Sequence, residues 1–159
     1  MQFLTIASLF AAAAIAAPAP QTSDCPNPAH CGTPSDPSKY ENVDITDYTL
    51  RKNDSGIQSI SFKLSGQNAT DILCEVSPFT GFPSKTVTCG STDPDSGYRF
   101  IAIEPKGEGD ADIAVYHQTA PFAGKWAEGS VPAYCHAGGL SPDDFICTQV
   151  NAYTIVLHQ

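Results

Sequence analysis

Residues 134–147 read YCHAGGLSPDDFIC, a stretch in which two cysteines bracket eleven residues of turn-forming sequence. The paired glycines allow backbone angles that are closed to other residues. Residues 141–144 combine a capping hydroxyl, a proline and two acids, which predicts a helix start of at most one turn. A bridge between Cys135 and Cys147 would close this loop and stabilise the fold by about 3 kcal/mol.

The chain from Val43 onward shows the alternation of apolar residues that is typical of strands. Val43 and Ile45 alternate in one phase and Tyr48 and Leu50 in the opposite phase, which predicts a bulge near Asp47. The next strand has Ile60, Phe62 and Leu64 on one face, after a hairpin turn predicted at residues 53–56. Further strands are predicted at residues 71–76, 86–89, 98–103, 112–116, 145–150 and 153–157.

Every predicted strand is short and bounded by turn residues, and no window of a dozen residues has the period of a helix. This pattern favours an all-β fold. We therefore predict a single compact antiparallel β-barrel, or a closely packed sandwich, spanning residues 41–159 and stabilised by disulfides.

The N-terminal segment has the composition of a leader followed by an arm. Residues 1–16 are apolar and uncharged and end in a small-x-small pattern, which predicts a signal peptide. Residues 17–40 are rich in proline and small polar residues, which predicts a disordered arm. We therefore expect a secreted, extracellular protein with no membrane anchor.

Charge and cysteine content narrow the classes of partner and compartment. The net charge is −9 with eight basic residues, so we expect no nucleic acid partner. Six cysteines in an exported chain indicate disulfides, with 15 possible pairings. Cys74 and Cys89 could bridge neighbouring strands. Cys25 and Cys31 could bridge each other, reach the barrel or link two chains.

Few residues indicate chemistry. Asn53 and Asn68 each begin a glycosylation acceptor pattern. Residues 108–112, EGDAD, favour a solvated turn over a calcium loop because the rest of the calcium pattern is absent. The four histidines lack metal-ligand spacing. We predict no catalytic residue, metal or cofactor, and we expect Phe122 and Trp126 to pack in the core, with a binding platform as the alternative.

The pattern YCxAGG at residues 134–139, followed by DFxC at residues 144–147, resembles the signature loop of the Alternaria major-allergen family. The leader is also similar. The resemblance implies a fungal β-barrel without a recognised catalytic site, with one disulfide joining Cys74 to Cys89 and another joining Cys135 to Cys147. Cys25 stands where a cysteine links two barrels into a homodimer. An additional cysteine, Cys31, departs from the family pattern and could replace that link.

The resemblance implies an effector, elicitor or allergen that binds a plant extracellular defence protein of the thaumatin-like class through loops on the barrel. His136 replaces a basic arginine in the signature loop, which weakens any charge-based role for it. The alternative is a carrier of phenolic or apolar small molecules, in a pocket between strands or in a dimer groove. A third hypothesis is a secreted hydrolase, which would require His117 or His136 to meet an acid and a hydroxyl.

Overall fold

The computed structural model describes residues 36, 38–67, 69–90 and 97–159, which form ten strands and no helix. The strands are β1 (Tyr40–Asn53), β2 (Gly56–Gly66), β3 (Ala69–Val76), β4 (Val87–Thr88), β5 (Tyr98–Ile103), β6 (Asp112–Ala120), β7 (Ala123–Gly129), β8 (Ala133–Ala137), β9 (Phe145–Gln149) and β10 (Tyr153–His158). Eight of them follow the order β3-β2-β1-β10-β7-β6-β5-β4, and β8 and β9 form a hairpin on β1. All the pairs are antiparallel, so the predicted all-β fold is confirmed as a nearly closed barrel rather than a sandwich.

The longest strand, β1, pairs with three others, β2, β9 and β10. Its first half pairs with β10 and its second half with β9. Between the halves, Asp47 has a φ of 54° and the register with β2 shifts, which confirms the predicted bulge. The Gln149 amide replaces the missing ladder contacts there: it accepts from Tyr48 N at 3.2 Å and donates to Ile45 O at 2.8 Å.

The barrel interior is filled with apolar side chains. Phe62 and Phe100 meet edge to face with ring centroids 4.9 Å apart. Around them pack the inward residues of nearly every long strand, including Val43, Ile45, Leu64, Ile113, Val115, Ile155 and Leu157. The alternation read from the sequence along β1 and β2 is the alternation between this core and the outer surface.

A disulfide joins the two end strands of the sheet. Cys74 in β3 and Cys89 directly after β4 are fully buried and bonded, with their Cα atoms 4.4 Å apart. Beside the disulfide, Gly90 N donates to Leu73 O at 2.7 Å. No ladder of paired residues links the described parts of β3 and β4. We call this junction the seam, because it joins the edges that would otherwise leave the barrel open.

Three local predictions differ from the structure. Strands β7 and β8 were not predicted, because AGKWAEG and AYCHA hold few large apolar residues. The helix start predicted at residues 141–144 is wrong. This segment is a single turn in which Asp144 N donates to Ser141 O at 3.2 Å, and the chain enters β9 at once.

Several predictions concern residues outside the described ranges. They are the signal peptide at 1–16, almost all of the arm at 17–40, the pairing of Cys25 and Cys31, and glycosylation at Asn68. Asn53, the other glycosylation candidate, is exposed at the end of β1, in the predicted hairpin turn.

The seam gives a test of barrel closure. The double variant Cys74→Ala/Cys89→Ala should lower the free energy of unfolding in urea by about 3 kcal/mol from loop entropy, plus the cost of releasing two edge strands. The matched control is Cys135→Ala/Cys147→Ala, because the two disulfides have similar sequence separations of 15 and 12. A loss at the seam no larger than that at the control would contradict its closing role.

Candidate functional site

An open groove of about 790 Å³ lies on the outer face of β5, β6 and β7. Tyr116, Trp126 and Phe122 supply its aromatic surface, and Arg99 and Gln118 supply polar groups. The rings of Tyr116 and Trp126 are nearly parallel, with centroids 6.1 Å apart. Its size falls in the range of small-molecule sites. None of the described residues that line it is a carboxylate, although the chain has 17 acids and eight bases.

The prediction that Phe122 and Trp126 pack in the core is wrong. Phe122 is fully exposed at the turn between β6 and β7, where its φ is 61°, and Trp126 is 42% exposed. In β7, Lys125 and Ala127 are the residues that point inward and are buried. Since Trp126 lies between them, the pleat directs its indole outward. The alternative interpretation, a platform open to ligands, agrees with these positions.

A buried carboxylate cluster lies on the inner side of the same strands. His117 Nδ1 donates to Glu41 Oε2 at 2.6 Å, and the Tyr98 hydroxyl donates to Glu41 Oε1. Gln67 N also donates to Glu41 Oε1, at 3.1 Å. The rings of Tyr98 and His117 stack with centroids 4.0 Å apart. Both carboxylate oxygens are therefore occupied by donors, as a buried charge requires.

The cluster sets the protonation of its carboxylate. Burial alone raises the pKa of Glu41, but hydrogen bonds from His117, Tyr98 and Gln67 N outweigh that effect and hold the pKa below its ordinary value. Gly66 lies against the Tyr98 hydroxyl and the Glu41 carboxylate, so a side chain at that position would collide with both. The cluster therefore joins the ends of β1, β2, β5 and β6.

This cluster was not predicted from the sequence, although a signal was present. Glu41 has the same strand phase as Val43 and Ile45, and His117 has the same phase as Val115. A titratable side chain at a core-facing position must find a partner. Alternation alone could have marked both residues, but it could not have shown that they meet.

The cluster does not have the arrangement of a hydrolytic triad. In a triad, the histidine stands between the acid and the nucleophilic hydroxyl, with one ring nitrogen for each. Here Glu41 stands between His117 and Tyr98, and His117 is only 2% exposed. The other candidate, His136, is exposed in β8. The structure thus brings His117 to an acid and a hydroxyl, but the acid lies between the other two groups, so the three side chains link strands instead of forming a triad.

At the other end of β1, the signature stretch forms a hairpin of β8 and β9 that we call the clasped hairpin. Cys135 and Cys147 lie opposite each other and are bonded, with Cα atoms 3.8 Å apart. The hairpin displays Tyr134 at 68% and Leu140 at 81% exposure. Exposed large apolar side chains grouped on one element indicate an interaction surface.

The turn of the clasped hairpin is fixed to β1 by an ion pair. Arg51 donates from Nε to Asp144 Oδ1 at 2.9 Å and from Nη2 to Oδ2 at 2.7 Å. The second oxygen also accepts from Leu140 N at 3.1 Å. The guanidinium holds the pKa of Asp144 below its usual value. Asp144 thus orders the turn through Arg51, instead of capping a helix.

The acidic segment at residues 108–112 lies beside this hairpin. Asp110 pairs with Lys52 at 2.6 Å, and Asp112 accepts from Lys106 N at 3.0 Å. An oxygen of Asp110 also lies 3.7 Å from both sulfurs of the hairpin disulfide. These carboxylates have protein partners, which favours a turn over a calcium loop, although Asp112 is buried at the start of β6 and not solvated as expected.

Comparisons with known proteins identify the family. The family model described as Alternaria alternata allergen 1 matches residues 45–147. The chain belongs to this family. Effector protein PevD1 of Verticillium dahliae is 41% identical over 160 residues, which cover 99% of this chain and 94% of PevD1. Major allergen Alt a 1 of Alternaria alternata is 29% identical over 162 residues, which cover 94% and 91%.

Solved structures agree with the fold assignment. The crystal structure of Alt a 1 superposes with a TM-score of 0.58 at 19% identity, covering 82% of this chain and 94% of that chain. At 19% identity, the structural similarity shows the barrel fold and nothing further. The resemblance read from residues 134–147 is therefore confirmed at the level of family and fold, and the chain is a member of a fungal effector and allergen family.

The buried carboxylate cluster predicts an acid-sensitive barrel. Because the pKa of Glu41 is lowered by folding, its contribution is present above the unfolded pKa of about 4.3 and is lost as pH falls through the folded value. Glu41→Gln should cost on the order of 3 kcal/mol at pH 7 and much less at pH 3. Denaturant unfolding at both pH values measures this. Glu75→Gln, at an exposed position of β3, is the control, and an equal cost of Glu41→Gln at both pH values would contradict the assignment.

Proposed function

We propose that this protein is a secreted effector-type and allergen-type binding protein that acts on a plant extracellular defence protein of the thaumatin-like class, without catalysis. The observation that supports this proposal is the clasped hairpin, which holds exposed apolar side chains on an ordered scaffold. The names of the relatives, an effector and an allergen, agree with such a role.

Rigidity of the clasped hairpin favours binding energetically. The disulfide fixes the two strands, and the bidentate Arg51–Asp144 pair fixes the turn that presents Leu140. A surface ordered before binding loses less conformational entropy when the complex forms. Tyr134 and Leu140 can then serve as anchors for a partner pocket.

The overall charge favours a basic partner. A net charge of −9 attracts cationic proteins over distances of about a Debye length, roughly 8 Å at physiological salt. Attraction of this kind accelerates encounter more than it strengthens the final complex. The association rate should therefore fall as salt rises, while the dissociation rate changes little.

Binding to a purified apoplastic thaumatin-like protein tests the proposal by surface plasmon resonance. The full chain should bind with a Kd in the micromolar range or tighter, and Tyr134→Ala and Leu140→Ala should each weaken binding about tenfold by removing an anchor. Phe122→Ala is the matched control, since it removes a fully exposed aromatic ring from the turn between β6 and β7. No binding at any of several salt concentrations would refute the proposed partner class.

The second candidate function, a carrier of phenolic or apolar molecules, is supported by the groove on β5–β7. A ligand site inside the barrel is disfavoured because Phe62, Phe100 and Leu64 fill the core. The outer groove instead offers Tyr116, Trp126 and Phe122 to a flat ligand, and Arg99 to an ionised phenol or acid.

A titration with p-coumarate tests the carrier hypothesis. The chain has a single tryptophan, Trp126, so its emission reports on the groove directly. Quenching should saturate, and Arg99→Gln should weaken the ligand about tenfold by removing the cation that faces its carboxylate. Tyr134→Ala should leave the titration unchanged. A linear, unsaturable response would exclude a phenolic site in the groove.

A further inference from the structure

A row of large side chains crosses five neighbouring strands on the outer face of the barrel. The register pairs Arg99 with Tyr116, Tyr116 with Trp126, Trp126 with His158, and His158 with Tyr40. We call these five residues the outer row. Their neighbours along the strands, Tyr98, His117, Lys125, Leu157 and Glu41, are the buried ones, so the pleat directs the whole row outward.

Within the outer row, the rings of Tyr116 and His158 lie close to that of Trp126, and Trp126 and Tyr40 are accessible. The Trp126 ring centroid lies 6.1 Å from that of Tyr116 and 6.1 Å from that of His158. Trp126 is 42% and Tyr40 43% exposed. Since neighbouring strands are about 4.8 Å apart, four steps extend the row over about 19 Å. A row of this length is longer than a compact small molecule and matches an extended, linear ligand.

The charge around the outer row argues against a polyanion. The row itself contains no carboxylate, and its nearest acidic neighbour in β7, Glu128, is ion-paired with Lys106. The net charge of −9, however, repels a chain of repeated negative charges. An uncharged linear polymer is not repelled by this net charge. Arg99 and Gln118, beside the rings, can donate hydrogen bonds to neutral hydroxyl groups.

We propose that the outer row is a docking surface for a linear, neutral polysaccharide of β-linked pyranose units. The C–H faces of such sugars are apolar and stack on aromatic rings, and their edges carry the hydroxyl groups that Arg99 and Gln118 can bind. Successive sugars lie over successive strands, with Tyr116, Trp126 and Tyr40 beneath the chain. This site is separate from the clasped hairpin, which is attached to the other half of β1.

The emission of Trp126 tests the site in the intact protein. Cellohexaose, laminarihexaose and chitohexaose are titrated separately, and at least one should shift the emission to shorter wavelength with saturation. The matching disaccharide should bind at least tenfold more weakly, because it covers fewer rings of the row. Oligogalacturonate of the same length should bind more weakly than the neutral hexasaccharide.

Calorimetric titration of variants tests whether the sugar binds on the outer row. Tyr116→Ala and Trp126→Ala should each weaken the hexasaccharide at least tenfold, while thermal unfolding verifies that each variant is folded. Tyr40→Ala, at the far end of the row, should weaken the hexasaccharide and leave the trisaccharide unchanged. Tyr134→Ala is the matched control, since it removes an exposed aromatic ring from the clasped hairpin.

Several outcomes would overturn the proposal. They are the absence of an emission shift with all three neutral hexasaccharides, equal affinity for disaccharide and hexasaccharide, or retained affinity in folded Tyr116→Ala and Tyr40→Ala. Saturable binding of p-coumarate without binding of any hexasaccharide would assign the groove to a small molecule and exclude the polysaccharide. Since Tyr134→Ala affects only the defence-protein complex, failure of one proposal is distinguishable from failure of the other.

Discussion

The barrel depends on the covalent junction of two strands that share no ladder. Cys74 and Cys89 join β3 to the end of β4, with one backbone hydrogen bond beside them. The other neighbouring strands are joined by antiparallel pairing, which runs over several residues for most of them and is a single pair, His158 with Trp126, between β7 and β10. Because the disulfide closes the sheet, the inward side chains are enclosed on all sides and can exclude water from the core.

Hydrogen bonds from neighbouring strands explain why a carboxylate inside the closed barrel is tolerated. The Glu41 carboxylate sits at a core-facing position of β1 and accepts hydrogen bonds from β5, from β6 and from the residue after β2. An unpaired carboxylate at this depth would be strongly destabilising, whereas a fully bonded one connects four strands at the end where the sheet is least regular. Lys125 also points inward, from β7, and its Nζ donates to Tyr40 O at 3.3 Å. The outer row lies directly on the other side of these backbones.

The positions of the two proposed binding surfaces follow from the length of β1 and from its bulge. Its first half pairs with β10 and supplies Tyr40 to the outer row, and its second half pairs with β9 and supplies Arg51 to the clasped hairpin. The bulge at Asp47 separates the halves, so each can follow a different neighbour. A single strand thus places the clasped hairpin and the outer row on one barrel. Binding at either surface, as proposed, would require little ordering of the barrel itself.

The amino-acid pattern alone was enough to predict the class of fold, because a period of two between turn signals specifies strands and their buried faces. It was sufficient for the bulge near Asp47, for the hairpin at residues 53–56 and for the family. It failed for β7 and for the turn at residues 141–144, where glycine, alanine and acidic residues are compatible with several local structures. The contact of Glu41 with His117 and the position of Trp126 beside Tyr116 became visible only in the folded barrel. Alternation tells which face a side chain takes, whereas its neighbours across the sheet depend on strand order and register, which are properties of the whole barrel.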